Sequence, residues 1–116
     1  MVTDRCLFCR IVDGDIPAKK MHEDGDVVAF HDINPQAPTH ILVIPRRHIA
    51  MLNDLTPADA NTIGTTIVRA TEIARSMQLD REGYRLVINN GESAGQTVFH
   101  IHVHILGGRT FGWPPG

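Results

Sequence analysis

The sequence predicts an α+β fold, in which an antiparallel sheet of about five strands carries one long and one short helix. Its 116 residues are enough for one hydrophobic core, so residues 1–116 are expected to form a single domain. One long segment shows helical spacing of apolar residues, whereas the other apolar runs have the length of strands. The last two of those runs are joined by roughly eight residues, which suits an antiparallel pair because a parallel pair needs a crossover of about a dozen.

The N-terminal half is predicted to hold the short helix and two strands. A short helix or turn is expected at residues 6–12, before the breaking run DGDIP. Apolar runs at 27–30 and 40–44 predict strands, and Pro45 closes the second. The segment between these strands, HDINPQAPTH, contains Asn-Pro and Ala-Pro and is predicted as a loop.

The C-terminal half is predicted to hold the long helix and a pair of strands. Thr56 is the expected N-cap and Pro57 the first helical residue. Strands are expected at 84–89 and 98–106, and residues 107–116 form a tail too rich in Gly and Pro to extend the second strand. The helix stripe expected to face the sheet comprises Ile63, Ile67, Ala70, Ala74 and Met77.

The composition argues against several classes of protein. A net charge of -2 gives no electrostatic case for binding DNA or a membrane surface. The apolar runs are far too short to span a bilayer, and the first residues lack the apolar core of a signal peptide. The expected protein is therefore cytoplasmic, with no nucleic-acid or membrane partner.

Cys6 and Cys9 form a Cys-x-x-Cys pair. A structural disulfide is not expected in a reducing compartment, and a thioredoxin-like motif needs a βαβ context that the flanking segments lack. Two interpretations remain open: the pair is half of a zinc site, or it is two small buried side chains. In the first case His48 and one further ligand, such as His100, would complete a tetrahedral site.

Three histidines near the C-terminus, His100, His102 and His104, alternate with apolar residues in the run HIHVHIL. Alternation is the period of a β-strand, so the three imidazoles are expected on one face, ~6–7 Å apart. A metal site, nucleophilic catalysis and a merely histidine-rich surface strand are the competing interpretations. The loop that precedes the run helps to choose between them.

That loop, NGESAGQTV, leads directly into the histidines. Gly91 and Gly95 allow main-chain N–H groups to turn toward an anion, and Gln96 and Thr97 add side-chain donors. The combination predicts a phosphorus-centred electrophile held by the loop and attacked by an imidazole. His102, the middle histidine, is the predicted nucleophile, because its two neighbours on the same face can bind phosphate oxygens or relay protons.

Asp32 and His40 are weaker candidates on the sequence alone. Asp32 follows a predicted strand, where it caps the turn or accepts hydrogen bonds from the two hydroxyls of a ribose. His40 and His48 flank the run ILVIP, and either is also explained as an ordinary surface histidine.

The run HIHVHIL resembles the histidine triad, His-φ-His-φ-His-φ-φ (φ being apolar), of the HIT superfamily. The segments AFHDINPQAPTHILVIPRRHI, YRLVINNG, GQTVFHIHVHILGGR and WPPG are similar to those of its HINT branch, the histidine triad nucleotide-binding proteins. The likeness extends from about Cys6 to Gly116.

The resemblance implies a homodimer whose two sheets join into one. It implies hydrolysis of adenosine 5'-phosphoramidates, and of related aminoacyl-adenylates, to AMP and the amine. The middle histidine would form a covalent nucleotidyl intermediate that water releases, with no cofactor required for catalysis. The alternatives are a dinucleoside polyphosphate hydrolase, against which the WPPG tail argues, a non-catalytic nucleotide-binding or scaffold protein, and a hydrolase that uses the triad as zinc ligands.

The resemblance also implies which residues act. The implied catalytic residues are His102, His104, His100, Thr97 and His40. The implied nucleotide-binding residues are Phe8, Ile11, His31, Asp32, Ile33, Asn89, Gly95, Gln96, Thr97, Val98, His102, His104 and Trp113.

Within that set the resemblance implies distinct tasks. Phe8 and Ile11 would line the base pocket, and the tail with Trp113 would reach the partner's active site. Thr97 departs from the serine usual in the family, and its extra methyl group is expected to shift leaving-group preference. The cysteine pair resembles that of bacterial-type relatives, where it implies structural zinc held by Cys6, Cys9, His48 and His100.

Overall fold

The computed structural model describes residues 6–116, so the part of the signal-peptide expectation that concerns residues 1–5 lies outside the described residues. Residues 6–116 form two α-helices and a five-stranded sheet in the order β1-β2-β3-β5-β4, with every neighbouring pair antiparallel. The predicted fold class is confirmed. No helix within this range is both long and apolar enough to cross a membrane. The elements are α1 Leu7–Val12, β1 Lys20–Glu23, β2 Val27–His31, β3 Thr39–Pro45, α2 Ala60–Ser76, β4 Tyr84–Val87 and β5 Val103–Gly107.

The start of the long helix follows from its capping residues. The main-chain N–H of Thr56 donates to the Asp59 carboxylate over 2.9 Å, and the Thr56 hydroxyl lies 3.3 Å from the same oxygen. Pro57 begins a single 3₁₀ turn, and α2 proper starts at Ala60, later than the sequence predicts. The predicted stripe is right at its small residues and wrong at Ile67, which is 38% exposed. The buried face comprises Thr66, Ala70, Ile73 and Ala74.

The sheet separates two apolar cores because its side chains alternate between faces. The core between the sheet and α2 holds nine buried residues: Val27, Ala29, Ile41, Val43, Ala70, Ile73, Ala74, Val103 and Ile105. The opposite face is covered by α1, and its buried residues are Phe8, Ile11, Val28, Phe30, Leu42 and Ile44. His40 shares the parity of Leu42, and His104 pairs with Leu42 in register. The histidines of the central strands therefore lie on the α1 face.

The histidine strand is shorter than the sequence predicts. β5 begins at Val103, so His100 and His102 precede it rather than belonging to it. The chain between β4 and β5, residues 88–102, folds instead against the segment after β3, and Ile101 N–H donates to Ile49 carbonyl over 2.7 Å. The predicted antiparallel pairing of the last two strands is confirmed, but their connection is longer than the predicted eight residues.

β1 is the strand that the sequence pattern does not reveal. Its four residues, KMHE, show no apolar alternation, and it lies at one end of the sheet order. Its conformation follows from pairing with β2, where the register slips between Lys20 and His22. A strand that forms mainly through pairing with its neighbour need not show alternation of apolar residues in its own sequence.

Candidate active site

The three histidines of the triad lie together under α1, but they do not converge on one point. The ring centroids of His102 and His104 are 4.9 Å apart, whereas the His100 ring lies 5.1 Å from that of His48. Phe8 meets His102 edge-on at 5.0 Å and His100 at 6.0 Å. His102 and His104 therefore form a pair of catalytic candidates, whereas His100 belongs to the cysteine cluster.

The tautomer of His102 is fixed by its hydrogen bond to the main chain. Nδ1 of His102 lies 2.8 Å from the carbonyl oxygen of His100, which can only accept, so Nδ1 carries the proton. Nε2 is then unprotonated and has a lone pair for attack. Burial lowers the pKa of His102, against the opposing effect of that hydrogen bond, and favours the neutral ring.

His40 and His104 form a second chain of fixed tautomers. The Gln36 N–H donates to His40 Nδ1 over 3.0 Å, so His40 carries its proton on Nε2. That nitrogen lies 2.9 Å from His104 Nδ1 and 3.5 Å from an Asp32 carboxylate oxygen. His104 Nδ1 is consequently the acceptor and Nε2 of His104 is the donor. Within residues 6–116 this buried Nε2 has no hydrogen-bond partner.

Burial keeps this pair of rings uncharged near neutral pH. It lowers the pKa of His40, although the Asp32 carboxylate acts in the opposite direction. It lowers the pKa of His104 to about 4, with smaller contributions from the charges that His102 and His40 would carry. A neutral His104 offers one N–H donor toward an anion.

The glycine loop before the triad is held in shape by hydrogen bonds of one of its own side chains. Gly91 and Gly95 adopt φ values of 90° and 98°, in the left-handed region that favours glycine. The Gln96 side chain accepts from Gly91 N–H over 2.8 Å and donates to the carbonyls of Ala50 and Val98. The Gln96 amide N–H groups thus hold the loop, and a contact between Gln96 and a phosphate stays a prediction. Thr97 is exposed.

The predicted ribose and base residues occupy different environments. Asp32 caps its turn through one oxygen, which accepts from Asn34 N–H over 2.7 Å, and directs the other toward His40. Both sequence interpretations of Asp32 thus remain compatible with the structure. Ile33 is fully exposed beside it, and His31 at the end of β2 and Trp113 in the tail are exposed.

Four further candidates lie in or against the α1 core or the loop. Phe8 and Ile11 are buried residues of the core under α1, and their place at a base pocket stays a prediction. Val98 packs against the same core. Asn89 lies at the glycine loop, where its side-chain nitrogen would be 3.7 Å from a Cβ placed on Gly95.

Cys6, Cys9, His48 and His100 form a compact donor cluster whose ligand atoms all lie within 4.8 Å of one another. The His100 Nδ1 is 3.4 Å from Cys6 Sγ, 3.5 Å from Cys9 Sγ and 3.3 Å from His48 Nδ1. Tetrahedral zinc with bonds of about 2.0–2.3 Å separates its ligand atoms by about 3.3–3.8 Å, so the donor set and spacing fit this ion.

The surroundings of the cluster also suit a cation. His100 Nε2 lies 2.8 Å from the Pro45 carbonyl and must donate to it, which leaves Nδ1 as the ligand atom. Burial and the neighbouring Cys6 raise the pKa of the Cys9 thiol to about 12, and a bound cation would favour its thiolate. Nε2 of His100 is engaged by the Pro45 carbonyl and Nδ1 faces the cysteine cluster, so the catalytic role of its side chain stays a prediction. Its carbonyl is the group that reaches His102.

The interactions that sequence reasoning missed are main-chain ones. Gln36 N–H sets the tautomer of His40, the Pro45 carbonyl sets that of His100, and the His100 carbonyl sets that of His102. Every non-proline residue carries an N–H and every residue a carbonyl, so no residue type signals them. The dense Pro spacing in NPQAPTH is the nearest available signal, because it marks a loop of restricted shape.

The family model described as the HIT domain matches residues 13–111. An uncharacterized HIT-like protein of Synechocystis is 47% identical over 110 residues, covering 95% of this chain and 96% of the relative.

Two solved structures share the fold over nearly the whole chain. The HIT family hydrolase from Legionella pneumophila has a TM-score of 0.94 and 50% identity, covering 96% of this chain and 99% of its own. A Zn-bound histidine triad family protein from Mycobacterium smegmatis has a TM-score of 0.80 and 37% identity, covering 98% and 81%.

Proposed function

Because the chain belongs to the HIT domain family, we propose that it hydrolyses purine nucleoside phosphoramidates, releasing AMP and an amine. The nucleophile is His102 and the intermediate is a nucleotidyl-histidine. The observation that carries this proposal is the hydrogen bond from His102 Nδ1 to the His100 carbonyl, which leaves Nε2 as a free base. Nucleophilic attack requires such an unprotonated ring nitrogen.

In the first step, His102 Nε2 attacks phosphorus and the P–N bond breaks. The bonding pair goes to the amine nitrogen, which takes up a proton from solvent as it leaves. The substituted imidazole gains positive charge, and its Nδ1–H then donates to the His100 carbonyl as a charge-assisted bond, which is roughly twice as strong as a neutral one. In the second step, water attacks phosphorus, a proton goes to solvent, and His102 leaves as neutral imidazole with Nδ1 still protonated.

His104 supports both steps by donating from Nε2 to a non-bridging phosphate oxygen. Its Nε2–H is buried and has no partner within residues 6–116, so a phosphate oxygen would satisfy an otherwise costly donor. The glycine loop with exposed Thr97 supplies further donors beside it. The negative charge that grows on phosphate during attack is stabilised without a cofactor.

The nucleoside is proposed to lie at the loop after β2. Asp32 can accept from ribose hydroxyls through the oxygen that also approaches His40. The fully exposed Ile33 offers an apolar surface for a base, which is the support for a purine. With Phe8 and Ile11 buried, their contribution is to hold α1 and the histidines rather than to touch an exposed base directly.

We propose that zinc occupies the cluster of Cys6, Cys9, His48 and His100. The fit of donor spacing supports it, and the Mycobacterium smegmatis relative is described as Zn-bound. Bound zinc would supply structural cross-linking between α1, the segment after β3 and the triad. The chain's own contribution is the placement of His100, whose carbonyl orients the nucleophile. Cys6 and Cys9 are not joined in a disulfide, which suits the proposed reducing, cytoplasmic location.

We further propose a two-fold homodimer whose sheet continues through β4. β4 lies at an end of the sheet order and its residues are half-buried. On α2, Ile67 and Val68 are exposed apolar residues that a partner would cover, and Trp113 in the tail is a third. Pairing of β4 with its copy would satisfy an open strand edge.

The experiment that tests the reaction is steady-state hydrolysis of adenosine 5'-phosphoramidate by the wild-type chain and by His102→Ala. We expect at least a ~10³-fold loss of kcat in the variant, with AMP binding retained. Diadenosine polyphosphate serves as the competing substrate. Retained activity in His102→Ala would remove His102 as nucleophile, and faster cleavage of the polyphosphate would favour the other hydrolase class. An inactive wild-type chain that binds AMP would favour a nucleotide-binding role.

A further inference from the structure

The C-terminal tail makes two contacts that the proposed reaction does not use. At Gly108, φ is +90° and an added Cβ would lie 2.9 Å from Pro38 Cβ, so the tail turns closely over the loop after β2. One residue further on, Arg109 donates from Nε to the Gln36 carbonyl over 3.1 Å. The tail therefore lies directly on the loop that approaches His40.

Arg109 is itself held in place. Its guanidinium carbon lies 4.2 Å from the centre of the Phe111 ring, and that of Arg85 lies 5.1 Å from the same ring. Arg85 also donates to the Gly112 carbonyl over 2.9 Å. Cation–π contacts of this kind orient a guanidinium that would otherwise sample many rotamers. A fixed Arg109 can hold a loop carbonyl in one position.

Gln36 connects the tail to the histidines through its main chain. Its carbonyl accepts from Arg109, and its N–H donates to His40 Nδ1 over 3.0 Å. Its side chain donates to the Asn34 carbonyl over 3.0 Å, which keeps the loop compact. Displacement of Gln36 would remove the donor that keeps His40 Nδ1 unprotonated.

That displacement of Gln36 would also change which nitrogen of His104 carries the proton. With its proton on Nδ1, His40 would present a lone pair on Nε2, only 2.9 Å from the His104 Nδ1. Two acceptors cannot remain there, so His104 would take its proton on Nδ1 and turn a lone pair outward from Nε2. Asp32 favours the original tautomer of His40, but its oxygen is 3.5 Å away, farther than the Gln36 nitrogen.

We propose that Arg109 is a positioning residue that, through Gln36, fixes the tautomers of His40 and His104 and so maintains the His104 donor. The effect on turnover rests on the proposed function, whereas the effect on the tautomers does not. This relay gives the tail a role within its own chain. It places a tail residue in control of which atom faces the phosphate.

The test compares Arg109→Gln with Arg109→Met. The glutamine amide nitrogen is the same number of bonds from the main chain as arginine Nε, whereas methionine has a similar length without a donor. Both variants lose the charge, so the pair isolates the hydrogen bond. Arg75→Met, on α2 across the sheet, is the control for loss of an exposed arginine. Circular dichroism and Tm verify folding.

The primary measurement is the set of imidazole ¹⁵N shifts of His40 and His104, which distinguish the two tautomers. We expect mixed tautomers in Arg109→Met and the wild-type pattern in Arg109→Gln and Arg75→Met. With adenosine 5'-phosphoramidate as substrate, kcat should fall about tenfold in Arg109→Met, and KM should change less than about twofold. The fall in kcat is smaller than that expected for complete loss of a donor, because the tautomers are mixed. Unchanged tautomers in a folded Arg109→Met would overturn the inference.

A second pair of variants keeps the test decisive if the tail variants fail to fold. Gln36→Pro deletes the N–H, and Gln36→Ala keeps it while removing the side chain. Mixed tautomers in the first alone support the relay to His40, and wild-type tautomers in both refute it. If the wild-type chain does not cleave the phosphoramidate, the ¹⁵N shifts still decide the inference, while the proposed function alone fails.

Discussion

The burial of Phe8 against two triad histidines predicts a large effect of shortening this side chain. Phe8 is 4% exposed and meets Phe30 edge-on at 5.4 Å, as well as the rings of His100 and His102. Phe8→Ala removes the burial of a whole ring and leaves a cavity, which typically costs 3–5 kcal/mol in total. Loss of the edge contacts is part of that sum, at about 0.5–1.5 kcal/mol for an aromatic pair.

The matched control is Phe99→Ala, since Phe99 is the same residue type but 45% exposed. Its truncation should cost about 1 kcal/mol or less. Urea unfolding gives both free energies, provided that the slope m is unchanged between variants. At a typical stability of about 5–15 kcal/mol, Phe8→Ala should remain measurable at low temperature.

Activity gives a second view of the same change. Because Phe8 supports the ring of His102, folded Phe8→Ala should lose kcat toward adenosine 5'-phosphoramidate beyond the loss of folded fraction. If Phe8→Ala costs no more free energy of unfolding than Phe99→Ala, the account of α1 as the support of the triad is wrong.

Four other predictions follow from the site. The pKa of His104 is lowered to about 4 in the fold, so its contribution to stability is complete above about pH 6.5 and is lost as pH falls toward 4; urea titrations across this range test the sign, and a stability that rises on acidification contradicts it. Cys9→Ser should reduce bound zinc, measured by atomic emission, and lower kcat together with Tm; a variant that keeps the wild-type zinc content argues against the proposed site, and chelation that removes zinc but leaves kcat and Tm unchanged argues against its structural role. Val68→Lys should shift the proposed dimer to monomer in sedimentation velocity, because it places a charge on an exposed apolar position of α2; an unchanged sedimentation coefficient would place the interface elsewhere. Thr97→Ser, which removes one methyl group, should raise kcat/KM for bulky amine leaving groups relative to small ones by up to ~10-fold; equal ratios for the two chains would remove this residue from leaving-group selection.

Local patterns in the sequence predict much of the fold. The capping residue Thr56 and its neighbouring proline mark the start of the long helix to within one turn. Alternation predicts that His104 lies opposite the core-facing Val103 and Ile105, and register confirms it. The extent of β5 was not predictable in the same way, because residues 98–102 are apolar enough for a strand but bond to the segment after β3.

The candidate site divides along similar lines. Cysteines and histidines such as Cys9, His48 and His102 can be recognised as site candidates from the sequence. The structure brings them into two adjacent clusters, the cysteine cluster and the pair of His102 and His104. The structural role of Gln96 in holding the loop was not predictable, because an amide is equally suited to bind a ligand or to hold a loop. The main-chain groups that set the histidine tautomers depend on distances that only the fold provides.

The sheet with a different core on each face has a consequence for how this chain tolerates change. The α2 face holds aliphatic residues and no triad histidine, whereas the α1 face packs directly against His100 and His102. Volume-conserving substitutions at Ile41, Val43 or Ile105 should therefore alter activity only through the fraction of folded molecules. Equivalent substitutions around Phe30 or Leu42 should also change the activity of the folded molecules themselves. Substitutions in the core on the α2 face are thus selected for folding alone. Substitutions in the core on the α1 face are selected for folding and turnover together.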